Sequence, residues 1–120
     1  LKFCKLFSSK EVINISFAVT KLSTLNLYAS NPGVIIFDES ISALDLVVQF
    51  SILELIRFIN CKLGVSVVFI SHDINSVYYL CSEIAVLKNG SIVDFFKTNK
   101  LFSSNRKSYT KSLVSDSNFL

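Results

Sequence analysis

Val34-Ile35-Ile36-Phe37-Asp38-Glu39, continued by Ser40-Ile41-Ser42-Ala43-Leu44-Asp45, is the stretch on which the fold of this 120-residue chain turns. The four apolar residues follow an Asn31-Pro32-Gly33 turn and read as a strand buried on both faces. That strand runs directly into two adjacent carboxylates. In an open parallel sheet, ligands bind beyond the carboxyl ends of the strands. Neighbouring carboxylates at the mouth of a dry sheet repel each other, so a nearby cation stabilises both. Mg²⁺ with a nucleotide suits such a place, since it binds a few carboxylate and phosphate oxygens and keeps several waters.

Working outward, Leu46 to Leu63 reads as a helix, with Asp45 as its cap and Gly64 as its stop. Val48, Ile52, Leu55, Ile59 and Leu63 form its predicted inner face, and Ser51, Glu54, Arg57 and Asn60 its outer one. Val65 to Ile70 is a second buried strand, and it ends in Ser71-His72-Asp73. Four of the nine acidic residues, Asp38, Glu39, Asp45 and Asp73, fall in the two turns after these strands. A short helix is expected from about Asp73 to Cys81. A hairpin of Ile84 to Leu87 and Ser91 to Phe95 turns at Asn89-Gly90. Short helices are expected around Lys97 to Phe102 and Ser108 to Val114. Upstream, Ile15, Ala18, Leu22, Leu25 and Ala29 recur at helical spacing within Glu11 to Ser30, against the β-branched Val12, Ile13, Val19, Thr20 and Thr24. The order strand, helix, strand, helix, hairpin specifies an α/β architecture with a parallel layer and crossover helices.

Composition fits one small domain, with 51% apolar and 18% charged residues. No Met occurs, even at position 1, which suggests a piece of a longer gene product. No run of 18 apolar residues exists to span a membrane. The net charge of +3 includes a basic tail of Lys97, Lys100, Arg106, Lys107 and Lys111. Its charge is too sparse for a nucleic-acid patch and reads as a solvated surface. Cys4, Cys61 and Cys81 show no metal-like spacing and read as reduced, mostly buried thiols.

The segment Val34 to Asp45 resembles the Walker B strand and D-loop of ABC ATPases. Ser71-His72-Asp73 resembles their switch-histidine loop, and Ala85 to Asp94 the hairpin that follows it. Tyr109 to Val114 is similar to a tail found in the oligopeptide, dipeptide and nickel importer branch, and Ser42 to Gln49 is similar to the nickel members. The resemblance covers roughly Asn31 to Val114. It implies the C-terminal half of a P-loop NTPase domain, with 1–96 a partial ABC ATP-binding domain and 97–120 a C-terminal extension. It further implies that Asp38 holds Mg²⁺ through a water and that Glu39 polarises the attacking water as general base. His72 would donate a hydrogen bond to the γ-phosphate of ATP. Ser42 and Asp45 would lie on the loop facing a second ATP-binding subunit. The implied partners are that subunit and membrane-spanning permease subunits, with no nucleic acid, and the implied location is cytoplasmic, on the inner face of the cell membrane.

The departures from the family matter as much. No GxxxxGK[ST] phosphate loop occurs, and all three glycines are spent on turns. Counting back by the family spacing places the Leu-Ser-Gly-Gly-Gln signature at Asn14-Ile15-Ser16-Phe17-Ala18, which contains no glycine. Ser40 and Ile41 stand where the family usually has Pro-Thr. Two readings follow: the ATP-hydrolysing subunit of an importer for oligopeptides, dipeptides or nickel, or a catalytically inactive remnant. A non-transport ABC ATPase acting on DNA or ribosomes is disfavoured by the importer-like tail. On either main reading, these residues alone neither bind nor hydrolyse ATP well.

Overall fold

The computed structural model describes residues 2–5, 12–15, 32–38, 41 and 44–117. Among the described residues, six strands form one sheet: β1 Lys2–Lys5, β2 Val12–Ile15, β3 Val34–Asp38, β4 Ser66–Ser71, β5 Glu83–Lys88 and β6 Ser91–Lys97, in the spatial order β2-β3-β4-β1-β5-β6. Three helices among the described residues accompany them: α1 Leu46–Leu63, α2 Ile74–Leu80 and α3 Ser108–Ser115, with a 3₁₀ turn at Thr98–Lys100. Strands β2, β3 and β4 run parallel, and β5 with β6 forms an antiparallel hairpin. This is the α/β architecture expected from the sequence.

Local chemistry sets the element ends. The Asp45 carboxylate accepts from the backbone N–H of Val47 and Val48, and Gly64 closes α1 in the left-handed conformation at φ 65°. Asn60 Nδ2 donates to Val65 O at 2.9 Å, stitching the end of α1 to the approach to β4. The Asn89-Gly90 loop has φ of 49° and 76°, the positive values that a tight two-residue hairpin loop requires. One extra residue interrupts the β5–β6 register, because Val86 pairs with Asp94 but Leu87 with Ile92.

The core lies between the sheet and helices α1 and α2. Ile35 and Phe37 of β3, Val67 and Phe69 of β4, and Ile84 and Val86 of β5 meet Leu53, Ile56 and Ile59 of α1 and Ile74, Val77 and Leu80 of α2. Of the expected inner face of α1, Ile59 is buried and Ile52, Leu55 and Leu63 pack against the core, whereas Val48 is exposed and Leu53 and Ile56, not expected inside, are buried. Apolar residues stand on more than one side of this helix, so spacing alone did not single out the buried side. Strand β4 is buried on both faces as expected, whereas Val34 and Ile36 of β3 are only half-buried.

Three other expectations need correction. Val12–Ile15 opens the stretch expected to be helical, yet it pairs in parallel with β3 as a strand. Its β-branched residues fit a sheet edge, and that pairing overrides a helical spacing. The rest of that stretch lies outside the described residues. Lys2–Lys5, assigned no structure from sequence, inserts antiparallel between β4 and β5 and supplies each with a ladder. The cysteines, expected to be reduced and mostly buried, are not all reduced. Cys61 is free but exposed, one turn from Arg57 on the outer side of α1, and Cys81 is buried and disulfide-bonded. Among the described residues, no helix is long and apolar enough to cross a membrane.

The basic tail is partly structural. Arg106 Nη1 lies 3.2 Å from Asp94 Oδ1, and the guanidinium stacks 4.2 Å from the Phe96 ring centroid. Asp94 Oδ2 also accepts from the Lys107 N–H at 3.1 Å and from Thr110 Oγ1 at 2.9 Å. A carboxylate on β6 therefore caps the first turn of α3 from across the fold. Asp94→Ala strands the largely buried Arg106 and is expected to cost about 2–3 kcal/mol. Urea unfolding with amide exchange checks this, with protection in α3 lost first.

Candidate functional site

Strands β3 and β4 are adjacent and parallel, with Phe37 paired to Phe69 and Asp38 to Ile70. Both therefore release their chains at the same end of the sheet. Asp38 ends β3 with an exposed side chain, and His72 follows the last residue of β4, also exposed. Asp45, exposed, caps α1 through Oδ1, 3.1 Å from the N–H groups of both Val47 and Val48. Asp38, Asp45 and His72 are thus placed in the turns that leave these two strands. Glu39 and Ser42 lie outside the described residues.

The loop leaving β3 is held by Ile41, which is 1% exposed and belongs to the core. The Leu44 N–H donates to Ile41 O at 3.2 Å, closing a turn just before the Asp45 cap. Ile41 thus anchors this loop by apolar burial.

The loop leaving β4 is held by hydrogen bonds. The Asp73 N–H donates to Ser71 Oγ at 3.0 Å, bridging over His72. Asp73 caps α2 by accepting from the N–H of Asn75 at 3.1 Å and of Ser76 at 3.3 Å, and it accepts the Ser76 hydroxyl as well. Gln49 reaches over from α1 to the same carboxylate and hydroxyl. Sequence reading missed this role for Gln49. Its position one turn after Asp45, on the flank facing α2, was the only available signal.

Beside these loops, α1 and α2 border a cleft of about 740 Å³. His72, Asp73, Gln49 and Ser76 supply its polar wall, and Phe50, Tyr78 and Tyr79 its aromatic one. Phe50 and Tyr79 pack with centroids 5.6 Å apart. The Tyr79 hydroxyl donates to Glu54 and takes a hydrogen bond from Arg57, which pushes the Arg57 pKa above its ordinary value.

Among the described residues, no three His, Cys, Asp or Glu side chains gather as a metal cluster. A carboxylate and an imidazole at adjacent parallel strand ends can serve a charged ligand seated across the two loops.

No protein-family model matches the chain. Known proteins do. The chain is 41% identical over 87 residues to the methionine import ATP-binding protein MetN 1 of Pectobacterium atrosepticum, which covers 72% of this chain and 26% of that protein. It is equally similar to the oligopeptide transport ATP-binding protein OppF of Lactococcus lactis, over 72% of this chain and 27% of the relative. The methionine import ATP-binding protein MetN of Bordetella pertussis is 40% identical, over 72% and 24% respectively. The chain spans about a quarter of the length of the curated relatives it matches.

Removing the two caps separates their loads. Asp73→Ala is expected to cost about 2 kcal/mol and Asp45→Ala about 1 kcal/mol, with Asp45→Asn close to neutral and Asp73→Asn, which loses the acceptor at Oδ2, in between. Urea denaturation midpoints of the four variants check this order.

Proposed function

We infer that this chain, which belongs to the family of ABC ATP-binding subunits, is the Walker B and switch-histidine portion of a subunit that hydrolyses ATP to drive import. The observation that carries this reading is the parallel β3–β4 pair, whose ends bring Asp38 and His72 to one mouth. Asp38 would hold Mg²⁺ through a water, while Glu39 takes the proton of the attacking water. His72 would donate to the γ-phosphate, where it can distinguish triphosphate from diphosphate. Asp45 and Ser42 would face the second ATP-binding subunit, with Asp45 keeping its role as cap. Residues 1–96 would form the partial ATP-binding domain and 97–120 an extension of the importer type.

The cargo we propose is an oligopeptide, a dipeptide or nickel. The name of the lactococcal relative supports peptide, whereas nickel rests only on the resemblance of Ser42 to Gln49. The partners would be a second ATP-binding subunit and membrane-spanning permease subunits, at the inner face of the cell membrane.

A second reading, an inactive remnant, draws on a specific observation. Asn14 and Ile15, where the signature motif would begin, pair instead with Ile36 and Phe37 in the sheet. A backbone committed to a strand ladder is not free to approach a partner's phosphate.

Both readings expect no MgATP-induced rise in the thermal midpoint of the 120-residue chain. Fusing the chain to the phosphate-loop portion of the lactococcal relative separates them. The active reading expects ATP turnover that Glu39→Gln lowers about 100-fold or more. A folded fusion without turnover would establish the remnant.

A further inference from the structure

A relay of hydrogen bonds crosses from α1 to the loop that presents His72. Gln49 Nε2 donates to Ser76 Oγ at 3.2 Å and, at the long end of the range, to Asp73 Oδ2 at 3.4 Å. Ser76 is 4% exposed, and its hydroxyl passes the relay on by donating to Asp73 Oδ2. Asp73 is fastened in turn to Ser71 Oγ through its own N–H and to the start of α2 through its carboxylate. The residues flanking His72 are therefore held on both sides, and part of that hold originates on α1.

The chemistry explains why a glutamine suits position 49. Its side chain is long enough to reach across from α1. Its amide can donate to a hydroxyl and a carboxylate together, which neither a hydrocarbon nor an ionised carboxylate can do, the latter being an acceptor only and repelled by Asp73 as well. Because the Ser76 hydroxyl accepts from one group while donating to another, each bond polarises the next. Four residues before Gln49, Asp45 caps the same helix, and the Gln49 N–H donates to Asp45 O at 2.9 Å. The cap of α1 and the loop of His72 are thus joined through one side chain.

We propose that Gln49 is a positioning residue for His72, coupling the Asp45 end of α1 to the loop that presents the imidazole. Its importance for ATP rests on the nucleotide reading of His72 given above. The coupling itself is a property of this chain without nucleotide and is tested that way.

His72 is the only histidine in the chain, so its imidazole carbon-bound protons give unambiguous NMR signals. The experiment records them, with backbone amide exchange, on the full 120-residue chain without nucleotide. Four variants are compared: Gln49→Ala, Gln49→Glu, the pair Gln49→Glu with Asp73→Asn, and Ser51→Ala as an exposed control on the same helix. Gln49→Ala is expected to shift and broaden the His72 signals and to speed exchange at Asn75 and Ser76 about 2- to 10-fold. Ser51→Ala should leave the His72 signals in place. Gln49→Glu alone should displace them, and adding Asp73→Asn should return them, because a donor again faces an acceptor.

Unchanged His72 signals in Gln49→Ala overturn the coupling. If that variant does not fold, failure of the exchanged pair to return the signals overturns it instead. The nucleotide reading fails differently. In the fusion described above, His72 signals indifferent to MgATP would refute that reading while leaving the Gln49 effect intact.

Discussion

The register of Phe37 with Phe69 and of Asp38 with Ile70 governs where every polar group at the mouth of the sheet can stand. Two parallel strands of similar length, buried at Ile35, Phe37, Val67 and Phe69, resist a one-residue slip, which would turn those side chains to the opposite face. With that register held, Asp38 and His72 leave the sheet at the same end, from neighbouring strands. Strand β1, lying antiparallel between β4 and β5, continues the ladder toward the hairpin and keeps β4 an interior strand. The apolar core and the chemistry at the strand ends are therefore consequences of one pairing.

The two helices that follow these strands begin in the same way. Asp45 and Asp73 each stand at the N-cap and satisfy backbone N–H groups that would otherwise lack partners. This use of carboxylates gives the loops defined exits without a glycine-rich turn. It also means that Asp45 has a structural task before any ligand or partner arrives. The family resemblance and the cap are compatible, because the contacts to Val47 and Val48 involve only Oδ1. Gln49 then links the two capped starts, by its side chain to Asp73 and Ser76 and by its N–H to Asp45 O.

Much of this organisation was legible in the sequence because its causes are local. Asp45 and Gly64 mark the ends of α1 through short-range backbone chemistry, as Asn89-Gly90 marks the hairpin. The apolar runs of β3 and β4 announce buried strands, and the polar residues directly after them announce the site. What stayed hidden depends on distant partners. Lys2–Lys5 becomes a strand only because β4 and β5, more than sixty residues away, offer it two edges. Val12–Ile15 was misread because helical spacing downstream outweighed a pairing with β3 that sequence does not display. Leu53 and Ile56 did not stand out on α1 because apolar residues occur around it, including Leu46, Val47 and Phe50, which are exposed at 83%, 76% and 54%. The clamp of Asp94 on Arg106 and Thr110 joins residues that a charge count treats as solvated surface.

The polar mouth of the sheet exists only if β3 and β4 are parallel neighbours in this register. Backbone NOEs between the two strands in the 120-residue chain test it most directly. The account predicts contacts joining Ile36 with Val68 and Phe37 with Phe69, continuing to Asp38 with Ile70. Contacts displaced by one residue, or running in the antiparallel sense, would contradict it and separate Asp38 from His72.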